Sequence, residues 1–174
     1  MIRLIGIKII DRIKEAGLTQ HILSDHASVI TSRLGFHEVT DDVCSREAFI
    51  VLHLNGDREG CEKLRADLEK PGGIEIREIN IDGNPEKINP VSGKGSVEIL
   101  CLVVERNKEV VSSVQRILTS YGCNIRTRLG VNEQFFGEPA GLIILELKGD
   151  AAQRHHLEKD LKSLPQVHVR TMLF

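Results

Sequence analysis

The chain has 174 residues, with 23 Lys and Arg against 25 Asp and Glu, a formal charge of −2. That balance excludes a generally basic nucleic-acid binder held by phosphate neutralisation. Five Phe, one Tyr and no Trp leave few rings for base stacking or for the walls of a large ligand pocket.

The amino terminus, MIRLIGIKIIDRIKE, is apolar but interrupted by Arg3 and Lys8, and no small-residue cleavage pattern follows it. It reads as a strand over Leu4 to Ile10, not as a secretory signal. Ile13 to Ala27 has helical spacing. Val29 to Val39 alternates, with Ile30, Leu34 and Phe36 on one parity, which predicts a strand. A third strand, Phe49 to Leu54, ends in N-G-D, a turn into a helix with Asp57 as its N-cap. That helix carries Leu64 and Leu68, and a strand from Ile74 to Ile79 closes the series. Asn80 to Ser96, rich in Gly, Pro, Asn and Ser, reads as a linker. The series then recurs: strand Val97 to Val104, helix Lys108 to Tyr121, strand Asn124 to Val131, strand Leu142 to Leu147 ending in K-G-D with Asp150 as cap, a helix with Leu157 and Leu161, and strand Val167 to Leu173.

The recurrence is also literal. Gln20 to Gly35 lies over Gln115 to Gly130 with seven of sixteen positions identical, and Ala48 to Asp57 over Gly141 to Asp150 with five of ten. Ile9 to Glu15 lies over Val103 to Glu109. The chain is therefore two copies of one unit of about 80 residues, a size at which small domains already hold a core. The domains expected are 1–80 and 97–174, with 81–96 between them. The order βαββαβ, twice, predicts an α+β chain of two tandem ferredoxin-like repeats, each an antiparallel sheet with both helices on one face. The opposite face has no helix to cover it and must meet solvent, the other copy or another chain.

Cys44, Cys61, Cys101 and Cys123 are widely spaced, with no C-x-x-C, which suits four reduced thiols in a cytoplasmic protein. No run of about 18 apolar residues occurs, so no membrane span is expected.

The second copy has a strand ending in Glu105-Arg106, a helix with Ile117-Leu118, the step Arg128-Leu129-Gly130, and a closing strand with Leu164, Val167 and Val169. The first copy matches through Asp11-Arg12, Ile22-Leu23 and Arg33-Leu34-Gly35. In that order and spacing the chain resembles the small ACT-like proteins known as iron-only hydrogenase system regulators, grouped with the carboxy-terminal domain of the nickel-responsive regulator. The resemblance implies a regulatory, ligand-sensing module. ACT-like domains generally bind amino acids or other small molecules where two units meet. Tandem copies without a DNA-binding domain occur in glycine-cleavage repressor-like proteins. Every helical stretch is used by the repeat and no helix-turn-helix remains, so regulation is expected through a protein partner, with no direct nucleic-acid or membrane contact.

Candidate ligand-binding residues follow. The turn after the first strand carries Asp11-Arg12 in one copy and Glu105-Arg106-Asn107 in the other. In ordinary ACT domains the corresponding D-R-x-G-x-L turn offers backbone N–H groups at a helix start to a ligand carboxylate. Here Lys14 and Lys108 stand in the glycine place. The alternative role for Asp11 or Glu105 is to cap the helix and meet its dipole. Arg33, Arg126 and Arg128 have a parity opposite to Ile30 and Leu34, which places them on the uncovered sheet face together with Arg77 and Arg170. Guanidinium groups clustered there suit a carboxylate or phosphate, or pair across strands with Glu75 and Glu146.

Seven histidines raise the question of a metal: His21, His26, His37, His53, His155, His156 and His168. Only His53 and His168, on strands and facing outward, suit one, and no dense His/Cys cluster accompanies them. No G-x-S-x-G, H-E-x-x-H or P-loop is present, and Ser24-Asp25-His26 cannot form a relay because adjacent helical side chains diverge. The expectation is a non-catalytic homo-oligomer that needs no cofactor. It senses an amino acid or other anionic metabolite between its copies. Metal sensing through His53 and His168, or an unrecognised enzyme, are the alternatives.

Overall fold

The computed structural model describes residues 2–37, 45–81 and 97–174. Cys44 and the linker over 82–96 lie outside them. The chain forms two compact units, Ile2–Asn80 and Ile81–Phe174. The first contains β1 (Arg3–Ile9), α1 (Arg12–Asp25), β2 (Ile30–Phe36), β3 (Ala48–Leu54), α2 (Arg58–Glu69) and β4 (Ile74–Asn80). The second contains β5 (Glu98–Glu105), α3 (Lys108–Ser120), β6 (Ile125–Phe135), β7 (Glu138–Leu147), α4 (Ala151–Lys162) and β8 (Val167–Leu173). A single 3₁₀ turn, Ala27–Val29 or Gly122–Asn124, follows the first helix of each unit.

The sheets run β2-β3-β1-β4 and β6-β7-β5-β8, with antiparallel pairing throughout. This is the ferredoxin-like, ACT-like arrangement twice over. In each unit one parity of the two central strands packs beneath the helices. Ile5, Ile7, Ile9, Ile50, Leu52 and Leu54 meet Leu23, Leu64 and Leu68 in the first. Leu100, Leu102, Val104, Ile143, Leu145 and Leu147 meet Val114, Leu118, Leu157 and Leu161 in the second. Each fully buried aliphatic side chain contributes about 1.5–3 kcal/mol, so these stripes hold the helices to the sheet. The helix-free parity is apolar as well. Leu4, Phe49 and Val51 in one sheet, and Ile99, Cys101, Val103, Leu142 and Ile144 in the other, are buried.

The helix starts are made by side chains. Asp11 caps α1 by accepting from the Ile13 amide at 3.1 Å. Asp150 caps α4 by accepting from the Gln153 amide at 3.0 Å. Asp57 occupies the N-cap of α2 without a side-chain bond to the helix. Glu105 is no cap: it is the last residue of β5, and Asn107 caps α3 by accepting from the Glu109 amide at 2.9 Å.

One expectation fails for a local reason. The β2–β3 register breaks between Ile30 and Ser32, and the β6–β7 register breaks between Ile125 and Thr127. In both places two residues oppose one, a β-bulge. Thr31 and Arg126 are the extra residues, and every later side chain changes face. Leu34 and Phe36 therefore lie opposite Val51 and Phe49, on the helix-free side, away from Ile30. Arg33 and Arg128 lie opposite Leu52 and Leu145, on the helix side.

Candidate functional site

The bulge sends Arg33 over the edge of the first sheet toward α1, where its Nη1 donates to Gln20 Oε1 at 2.8 Å. The second unit repeats the contact: Arg128 Nη1 donates to Gln115 Oε1 on α3 at 3.1 Å. Neither arginine joins a cluster on the helix-free face. Arg126, within its bulge, does reach that face. Its Nη1 donates to Glu146 Oε1 at 3.2 Å, and Thr127 donates to the other oxygen at 2.7 Å. Glu146 is buried, so Arg126 and Thr127 neutralise and hydrogen-bond a carboxylate that would otherwise be costly there. Arg77 and Arg170, opposite Gly6 and Cys101, also lie on the helix-free side, as their parity predicts.

In the first unit Arg12 and Arg33 come together. Both line a cavity of about 240 Å³ that also takes in Thr19 and Gln20 of α1, Phe36, His37 and Phe49. Arg12 begins α1, and its Nε donates to Ser45 O at 2.8 Å. Thr19 is turned back on its own helix, donating to Glu15 O at 2.8 Å. The rings of Phe36 and Phe49 stack with centroids 5.5 Å apart. Asp11 is outside this group. Desolvation works against its carboxylate, but Arg46, with Nη2 at 3.0 Å, and the amides of Ile13 and Lys14 outweigh that and hold its pKa below the ordinary value.

In the second unit the turn residues Glu105, Arg106 and Asn107 line a cavity of about 380 Å³. Its other wall is the β6–β7 hairpin, including Phe135, Phe136 and Glu138. The hairpin turns on Phe136 and Gly137, at φ 51° and 86°. Positive φ at both central residues is the geometry of a type I′ turn, which usually carries Asn or Asp before Gly. His168 sits beside this wall: its Nε2 is 3.4 Å from Glu105 Oε1, and its ring centroid is 4.4 Å from that of Phe135.

Sequence reasoning missed Gln20, His37, Phe135, Phe136 and Glu138. An F-F-G-E turn in a chain with so few rings was the available signal for three of them. His53 is buried on the helix-free face of its sheet. Among the described residues no group of three or more His, Cys, Asp or Glu could hold a metal ion. Cys61, Cys101 and Cys123 are free thiols, and burial pushes the Cys101 pKa up to about 12.

No family model matches the chain, and no curated protein matches its sequence. Solved structures do resemble it. An uncharacterized protein from Thermotoga maritima is 27% identical over 45% of this chain and 95% of its own, with a TM-score of 0.40. The small subunit of acetolactate synthase from Thermotoga maritima is 12% identical over 100% of this chain and 98% of its own, with a TM-score of 0.37. The regulatory subunit of aspartate kinase from Thermus flavus is 18% identical over 95% and 91%, with a TM-score of 0.34. No helix among the described residues is long and apolar enough to cross a membrane.

Proposed function

We propose that this chain is a non-catalytic regulatory module of the ACT-like class, related to the iron-only hydrogenase system regulators, that senses a small anionic metabolite and acts on a protein partner. The cavity of the first unit carries the proposal. Arg12 and Arg33 line one space there, beside Gln20 and the apolar residues Ala16, Ala48 and Ile50. Gln20 uses one N–H of Arg33, and guanidinium presents five donors in a fixed fork, so others remain for a carboxylate or phosphate. Such a ligand stabilises the conformation in which both arginines converge, and a partner that reads that conformation receives the signal. Association with further copies fits the end strands β2, β4, β6 and β8, each paired on one side only within its own sheet.

The test is a thermal-shift and calorimetric titration with inorganic phosphate, citrate and the amino acids. A ligand of the native state raises the melting temperature by mass action. Arg33→Gln and Arg12→Gln are each expected to weaken the responding anion about tenfold or more, the scale of a lost charge-assisted hydrogen bond. No anion response, or one unchanged in both variants, would remove the proposal. Partner action is tested by capture with and without the responding anion.

A further inference from the structure

The cavity of the first unit has an apolar floor as well as a charged rim. Ile9, Ala48 and Ile50 line it from β1 and β3, and Ile9 and Ile50 belong to the apolar layer beneath the helices. The β2 side is formed at Gly35, which lies opposite Ile50 in the β2–β3 register, on the same side of the sheet as Arg33. A methyl group added at Gly35 would meet only Phe49 O, at 3.9 Å, an ordinary contact. Neither a positive φ nor crowding therefore calls for glycine here. Glycine within a strand weakens it, and often marks the close approach of a ligand. At this position the missing side chain leaves room beside Ile50 and over the floor.

The rim is cationic. Arg12 donates its Nε–H to Ser45 O and Arg33 one Nη1 N–H to Gln20, so other guanidinium donors of both remain for an anion. Gln20 is engaged at both ends: its Oε1 accepts from Arg33 and its Nε2 donates to Ser24 at 3.1 Å. Among the described residues no Asp or Glu lines the space. An α-ammonium group next to a carboxylate bound here would sit beside two like charges.

Resting on the anion reading of this cavity, we propose that its ligand is a compact aliphatic carboxylic acid without an ammonium group. Arg12 and Arg33 hold the carboxylate, and the hydrocarbon tail lies over Ile9, Ala48 and Ile50 in the space that Gly35 leaves. The volume, about 240 Å³, lies just below the roughly 300–1,000 Å³ of pockets for drug-sized ligands, which suits a molecule of this size. Burying the tail strengthens binding about fourfold per methylene, a gain closed to inorganic phosphate.

The experiment is calorimetric titration of the full chain with isocaproate, acetate, inorganic phosphate and leucine, which is isocaproate with an α-ammonium group added. Saturable binding of isocaproate is expected, at least tenfold tighter than that of the other three. Gly35→Val fills the space with a residue that strands favour, so its melting temperature should not fall, and it should weaken isocaproate at least tenfold. Should valine unfold the chain, Gly35→Ala is used instead, with a several-fold loss expected. Leucine, acetate or phosphate binding as tightly as isocaproate overturns the inference, and so does isocaproate affinity unchanged in the folded Gly35 variant. A phosphate response lost in Arg33→Gln, with no preference for isocaproate, overturns this inference and keeps the anion reading. No response to any of the anions removes both.

Discussion

A methyl group added at Gly60 would lie 2.5 Å from Val29 Cγ1 and 2.6 Å from Asp57 Oδ2, closer than side chains pack. Alanine in a helix interior normally gains about 1 kcal/mol over glycine. In α2 the sign should reverse, because Val29 is buried, short and branched and cannot swing aside. Gly60→Ala is expected to lower stability by about 1–3 kcal/mol, the cost of overpacking, read as a fall in the urea midpoint at unchanged slope. Residue identities in the sites were only half legible. Arg12, Glu105, Arg106 and Asn107 follow from the motif after the first strand. Arg33 and Arg128 were assigned the wrong face because parity counting assumes an uninterrupted pleat, and neither I-T-S nor I-R-T contains a glycine or proline to announce the extra residue.

At the scale of elements, each unit ties its two helices together at the same place. His26, ending α1, has its Nε2 2.7 Å from Asp67 of α2, and Tyr121, ending α3, donates to Asp160 of α4 at 2.7 Å. The hydrogen bond to Asp160, then desolvation and the nearby negative charge, raise the Tyr121 pKa above its ordinary 10.0. A raised folded-state pKa contributes stability that is complete below about pH 10 and is lost as pH climbs through the folded value. Tyr121 is the only tyrosine, so near-ultraviolet titration reads it alone. Its midpoint should lie above that of the urea-unfolded chain, and Asp160→Asn should bring the two closer together. The corresponding clasp in the first unit fails in acid instead. Asp67 is held below its ordinary value of 3.8 by hydrogen bonds from Lys70 and His26, so its contribution disappears as pH falls below about 4. The element order itself was legible throughout, because alternation and helical spacing are local signals. The length of β6, which runs on to Phe135, was not: E-Q-F-F-G carries polar residues where an edge strand faces solvent, and these read as loop.

Across the whole molecule, the same strand-to-helix junction is built twice with different charges. In the first unit Arg3 of β1 and Arg65 of α2 both pair with Glu78 of β4. In the second, Glu98 of β5 pairs with Arg154 of α4 at 3.2 Å, while Thr171 of β8 donates to Glu158 of α4 at 2.9 Å. Burial pushes the Glu98 pKa up despite Arg154. The two cavities differ too, with Arg12 and Arg33 in one and Arg106, Glu105 and Glu138 in the other. Arg33→Gln is expected to remove the anion response in thermal-shift titrations, whereas Arg128→Gln, at the matching place of the second unit, should leave it intact. The bulges do not share in this divergence. The extra residue falls at the same step of both edge strands, after Ile30 and after Ile125, and is followed each time by an arginine bonded to a glutamine on the neighbouring helix. Two independent insertions would have no reason to coincide in position and in partner. The kink and its arginine thus belong to the repeated unit itself, beneath the differences in charge that separate its two copies.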